Sequence, residues 1–128
     1  MEDREYFEKT KGHGVLATAD GEGRVDAAVY ARPHLTDEGH LAFVMTNRLT
    51  HANLQSNRHA AYLFMENGPR LKGKRFFLTK VREESDPAVI DSLKRRKYTG
   101  EEEEKMKPLA AVFFRIDKEL PLIGAGDE

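Results

Sequence analysis

Two runs, LAFVM (Leu41 to Met45) and AAYLFM (Ala60 to Met65), carry apolar side chains at every position. A strand with one face in water alternates polar and apolar residues, so an unbroken run of this length marks a strand buried on both faces. Only a short polar segment, with Thr, Arg, Thr, His and Asn at its start, separates the two. A chain that must cover both faces of two strands so close in sequence is best served by curling a sheet into a small barrel.

The remaining segments supply that sheet. VLATA (Val15 to Ala19) and RVDAAVYARPHL (Arg24 to Leu35) read as a hairpin over DGEG, whose glycines tolerate left-handed backbone. In the second of these strands Val25, Ala27, Val29 and Ala31 share one face, and Arg24, Asp26, Ala28, Tyr30 and Arg32 the other. Pro33 ends regular pairing or marks a bulge. RFFLTKV (Arg75 to Val81) and LAAVFFRI (Leu109 to Ile116) bring the count to six strands. Three helices are predicted: Glu2 to Lys11, ended by positive φ at Gly12 and Gly14; the short polar one; and one capped by Asp86 that starts on Pro87 and runs to about Lys97, with Val89, Ile90 and Leu93 inward. The expected fold is mainly β (α+β): a six-stranded antiparallel barrel with short flanking helices, one domain over 1–128.

Composition narrows the function. A chain of 128 residues buries about two thirds of its unfolded surface, enough for a core without staples. The absence of cysteine removes disulfides, thiolate metal sites and thiol nucleophiles. The five histidines show no HExxH motif and no paired spacing, so no metal site is expected. With 21 basic and 22 acidic residues, no overall field recruits nucleic acid, and the basic-aromatic KGKRFF is short enough to be a loop and strand start. No apolar run is long enough for a membrane span, and the start MEDREYFEKTKG lacks a secretory core, which points to a cytoplasmic protein. The SLKRRKYTGEEEEKMK stretch reads as a helix end followed by a solvated acidic run, without assigned function.

The polar helix is where function is expected. With Thr50 as N-cap, accepting from the Asn53 amide, and the helix starting near His51, the first-turn amides and the helix dipole make an anion site suited to phosphate. Arg48, and His51 when protonated, would add charge-assisted hydrogen bonds. The plainer reading, an ordinary cap with solvated neighbours, stays open on these residues alone.

The order of a LATADGEG hairpin ending in ARP, then DEGHLAFVMTN, then a helix ending in NLQSN before an apolar strand resembles the FMN-binding split-barrel family of pyridoxamine 5′-phosphate oxidase and its small relatives. The resemblance covers Gly12 to Phe64, and the last two strands by order only. It implies a six-stranded split β-barrel whose strands, from two subunits of a homodimer, enclose FMN at the interface. It places Val29 to His34 beside the isoalloxazine, with the backbone of Val29 and Ala31 and the side chain of Tyr30 or Arg32 at its polar edge. It puts Met45 and Thr46 at a strand end under the flavin, and Arg75 at a polar flavin contact. Leu49 and Thr50 fall at the helix start, where relatives carry basic residues for the phosphate.

That last departure calls for another cation, and Arg48, Lys74 and Arg75 are the candidates. Pyridoxamine phosphate oxidation itself is not implied, because the end KELPLIGAGDE is short and acidic where the oxidases are basic. The expectation is therefore an FMN-binding oxidoreductase or electron carrier with an unspecified electron donor and no assigned catalytic side chain. A non-enzymatic ligand-binding or sensor domain of the same fold, holding another phosphorylated or a tetrapyrrole ligand, is the alternative.

Overall fold

The computed structural model describes residues 3–46, 48–93 and 109–124. In chain order its elements are α1 (Asp3–Lys9), β1 (Gly12–Ala19), β2 (Val25–Tyr30), β3 (His34–Leu35), β4 (His40–Thr46), α2 (Leu49–Ser56), β5 (His59–Glu66), β6 (Gly73–Glu84), α3 (Pro87–Leu93) and β7 (Leu109–Pro121). The predicted continuation of the third helix to Lys97 and the basic-acidic run from Lys94 onward lie outside the described residues.

The strands form one antiparallel sheet in the order β2, β1, β5, β6, β7, β4, β3. The described sheet has seven strands where six were expected, because the chain pairs again for two residues after Pro33, His34 opposite Ala42 and Leu35 opposite Leu41. No hydrogen-bonded ladder joins β2 to β4. Instead the ring of Tyr30 on β2 meets Phe43 on β4 edge to face, with centroids 6.1 Å apart. The sheet therefore curls until its two margins meet through side chains, which is what makes the barrel split. Register shifts between β6 and β7 at Phe77/Leu78 and Lys80/Arg82 supply the bend, since a bulge kinks a strand and increases its twist.

The interior is aromatic. Phe43, Tyr62, Phe64, Phe76 and Phe114 point inward from four strands, and Phe7 of α1 enters among them, in ring contact with Tyr62, Phe64 and Phe76. Edge-to-face and tilted pairs of this kind add to the free energy of area burial. A second, smaller cluster forms on the outside, where Ile90 of α3 packs with Ala42 of β4 and Ala111 and Phe113 of β7.

Two expectations about glycine are corrected. Gly12 and Gly14 do not end α1 with positive φ; both lie inside β1, and the positive-φ glycines include Gly23 and Gly39 in the turns after β1 and β3. Gly14 is needed for space, not for backbone conformation. A Cβ there would lie 1.8 Å from the Tyr62 hydroxyl oxygen, so Tyr62 fills the room that glycine leaves.

Among the described residues no helix is long and apolar enough to cross a membrane.

Candidate functional site

The end of β2, the end of β4 and the start of α2 converge at one margin of the split. Tyr30 is the hub. Its ring rests on Phe43, and its hydroxyl is hydrogen-bonded to the side chain of Thr50 on α2. Burial raises the Tyr30 hydroxyl above its usual titration range, and the Thr50 bond works against that rise. Tyr62 of β5 reaches the same place from below. Its hydroxyl donates to the carbonyls of Tyr30 and Ala31, each at 3.3 Å, and so fixes the backbone where β2 ends.

Helix α2 is held down by polar ties to the β1–β2 hairpin. Asn53 Nδ2 donates to Thr18 Oγ1 at 3.0 Å, both residues buried, and Ser56 Oγ accepts from the Gly21 amide at 3.1 Å. Asn57 Nδ2 donates to the Asp20 carbonyl at 3.5 Å. A buried amide with its partner in place contributes about 1 kcal/mol, and more is lost if one partner is left alone. The polar residues that the resemblance rested on, Thr18, Asp20, Asn53 and Asn57, thus dock the helix onto the hairpin. Tyr62, Asn53 and Thr18 were not among the sequence candidates; the NLQSN spacing carried the signal for Asn53, while nothing local marks Tyr62 as different from its core neighbours.

Thr50 does not cap the helix. Helix α2 begins at Leu49, and its N-cap is Arg48, in extended conformation (φ −127, ψ −161) and without a side-chain cap bond. The reason is burial: Thr50 sits inside, where its hydroxyl has Tyr30 as a partner and is not available to the first-turn amides.

The other candidates fall into two groups. Val29 and Ala31 are exposed on the outward side, Met45 is buried in the core, Thr46 is half-buried at the end of β4, and Arg48 and Leu49 are exposed at the start of α2. Val29 and Ala31 flank Tyr30 in sequence, and Arg48 and Leu49 lead into Thr50. Arg32 and Arg75 are tied up elsewhere. Arg32 Nη1 donates to the carbonyls of Phe7 (2.9 Å) and Thr10 (3.1 Å), satisfying the C-terminal end of α1. Arg75 donates through Nε to the Pro121 carbonyl at 2.9 Å and through Nη2 to the Gly124 carbonyl. Lys74 lies over the Tyr6 ring, 4.4 Å from its centroid, and 3.6 Å from Glu119. His34 Nδ1 is 3.5 Å from Glu8 of α1.

His51 belongs to a clasp between α2 and β6. Its Nε2 is 2.7 Å from Glu83 Oε2, while Lys80 (2.9 Å) and Gln55 (3.1 Å) donate to Oε1 of the same carboxylate. Burial pushes the Glu83 carboxyl up, but the hydrogen bonds from Lys80, His51 and Gln55 outweigh it and hold it at about 2, below the ordinary 4.5. A folded value below the unfolded one adds stability that is present above pH 4.5 and is lost as the pH falls toward 2. Glu83→Gln is therefore expected to flatten the decline of the melting temperature across that window. Thermal unfolding at stepped pH checks this, and parallel declines for the two proteins would show that the carboxylate is not held.

No family model matches the chain, and no curated protein matches it in sequence. Solved structures do match in shape. An FMN-binding protein from Syntrophomonas wolfei subsp. wolfei superposes with a TM-score of 0.77 at 17% identity, over 95% of this chain and 84% of its own. An F420 reductase gives 0.66 at 18% identity, over 93% of this chain and 97% of its own. A FAD-binding protein from Mesorhizobium loti gives 0.58 at 16% identity, over 85% and 82%. With the curled antiparallel sheet, the side-chain closure at Tyr30 and the helix that follows β4, this likeness establishes that the chain has the split-barrel fold of these solved structures.

Proposed function

We propose that the protein binds FMN at the Tyr30–Thr50 junction as a homodimer, and works as a small flavin oxidoreductase or electron carrier. The observation that carries this reading is the convergence of β2, β4 and α2 at one split margin, in a fold shared with structures named for FMN, FAD and F420 chemistry. Bound there, a flavin supplies hydride or electron transfer, and the protein supplies placement and hydrogen bonds. The residues suit the ring: backbone fixed by Tyr62 at Tyr30 and Ala31, with the apolar side chains of Val29 and Leu49 beside it.

The second subunit is supported by what lies outward of the junction. The outward positions are Val29, Val15 and Leu63 in one row across β2, β1 and β5, which Arg75 of β6 ends, and Ala27, Ala17, Ala61 and Phe77 in the next row across all four strands. Val29 is 79% exposed and Phe77 46%. An apolar face of this extent suits burial against a second copy.

A reading without turnover has one observation in its favour. Tyr30 and His51, the titratable groups nearest the junction, are each tied to a neighbour, which leaves them poorly placed as acid or base.

One experiment tests the proposal. Purified protein mixed with FMN and passed over a sizing column is expected to elute as a dimer that carries the flavin absorbance bands. Val29→Asp, which puts a charge into the apolar row, is expected to elute as a colourless monomer with unchanged secondary structure. A colourless wild-type protein, or a flavin-loaded monomeric variant, would contradict it. Bleaching of the bound flavin by a nicotinamide donor separates the oxidoreductase from the binding domain.

A further inference from the structure

Resting on the flavin reading above, we propose that this site recognises the isoalloxazine ring and is nearly indifferent to the phosphate on the tail, so that it takes uncharged and phosphorylated flavins alike. The argument is an account of cations. A terminal phosphate is a dianion, and a site that selects it does so with several charge-assisted hydrogen bonds, each worth roughly ten- to a hundredfold in affinity.

Of the cations that the sequence offers for that purpose, all but Arg48 are spent inside the fold. Arg32 holds the carbonyls of Phe7 and Thr10 at the end of α1. Arg75 holds those of Pro121 and Gly124. Lys74 is shared between the Tyr6 ring and Glu119. Moving any of them toward a ligand would strand carbonyls or a carboxylate that they now satisfy. His51 faces Glu83, an acid that Lys80 also occupies, so this end of β6 brings no surplus positive charge toward α2.

The start of α2 is correspondingly plain. Leu49, 58% exposed, stands at its first position, and the Thr50 hydroxyl is turned inward to Tyr30. Arg48 is the one cation within α2 and its N-cap, and it is exposed. At physiological salt an exposed ion pair is typically worth about two- to threefold, and the dipole of a short helix about the same. Neither approaches what a dedicated phosphate pocket provides. The ring side has the fixed features instead: the Tyr62-bonded carbonyls, the Tyr30–Phe43 packing and the exposed alkyl groups of Val29 and Leu49.

The test compares riboflavin with FMN on the intact protein, freed of any co-purified flavin, by quenching of flavin fluorescence at physiological salt. The two dissociation constants are expected to lie within about tenfold of each other. Leu49→Lys, a change at an exposed position, is expected to raise the preference for FMN over riboflavin by about threefold, whatever it does to the grip on the ring that the two flavins share. FMN preferred by more than about tenfold in the wild-type protein overturns the proposal while leaving the flavin reading intact. So does a Leu49→Lys protein whose preference between the two flavins is unaltered, because the tail would then not pass α2. Failure of both flavins to bind overturns the flavin reading and this inference with it.

Discussion

Phe7→Ala is expected to destabilise the protein by about 3–5 kcal/mol, the usual cost of emptying a large buried aromatic position. Phe7 is fully buried, and its ring touches Tyr6, Tyr62, Phe64 and Phe76. The ring joins a short N-terminal helix to two strands that no local contact would bring to it. Its removal leaves a void bounded by rigid rings, which cannot relax into it as aliphatic chains would. Against a total stability of roughly 5–15 kcal/mol, this lowers the melting temperature by something like 10–20 °C. Calorimetry measures it, and a loss under about 1 kcal/mol would mean that α1 is an ornament on a barrel that closes without it. Phe7→Leu, which refills part of the volume, is expected to recover about half of the loss.

Gly14→Val is expected to cost about 3 kcal/mol for the opposite reason, an excess of atoms. Valine ordinarily improves a strand, so intrinsic propensity alone would make this change favourable. Here the new Cβ would stand 1.8 Å from the Tyr62 hydroxyl oxygen and 2.4 Å from the ring carbon that carries it. Tyr62 is fully buried among Phe7, Phe43 and Phe64 and has nowhere to go. Its displacement breaks both bonds to the Tyr30 and Ala31 carbonyls, so the end of β2 loosens along with the core. The distinguishing result is that Gly14→Val loses flavin binding at temperatures where circular dichroism still reports a folded sheet. A variant as stable as the parent would show that Tyr62 does not occupy that space.

The strands and their order were legible because two features speak through local pattern: unbroken apolar runs and glycine turns. LAFVM, AAYLF and the DGEG hairpin are all where the pattern puts them. What stayed hidden depends on partners far along the chain. Arg75 looks like a ligand contact until the carbonyls of Pro121 and Gly124 are seen beside it, and β7 runs on to Pro121, past the Ile116 at which the apolar pattern stops. Thr50 has the residue type and position of a cap, but a phenol from β2 competes for its hydroxyl. Gly12 and Gly14 look like helix terminators, and only the bulk of Phe64 and Tyr62 across the ladder explains them. In β2 the valine face is the outward one, because Tyr30 on the other face can bury a ring and satisfy a hydroxyl at once. The candidate region divides the same way: its strands, turn and helix follow from local pattern, while the partners of Arg32, Lys74 and Arg75 were decided by tertiary neighbours.

The place of β4 in the sheet has a consequence for how the molecule is made. Its neighbours are the two-residue β3 and the last strand, β7. A chain emerging from the ribosome can fold β1 on β2, lay β5 against β1 and add β6, all before β7 exists. Through that whole interval LAFVM has lost its solvent compatibility and gained almost no ladder. A strand that is apolar on both faces thus waits for most of its ladder until β7 is made. Synthesis and closure are coupled: the barrel is sealed at the end, in a single late event, and any pause before Leu109 prolongs the exposure of an apolar edge.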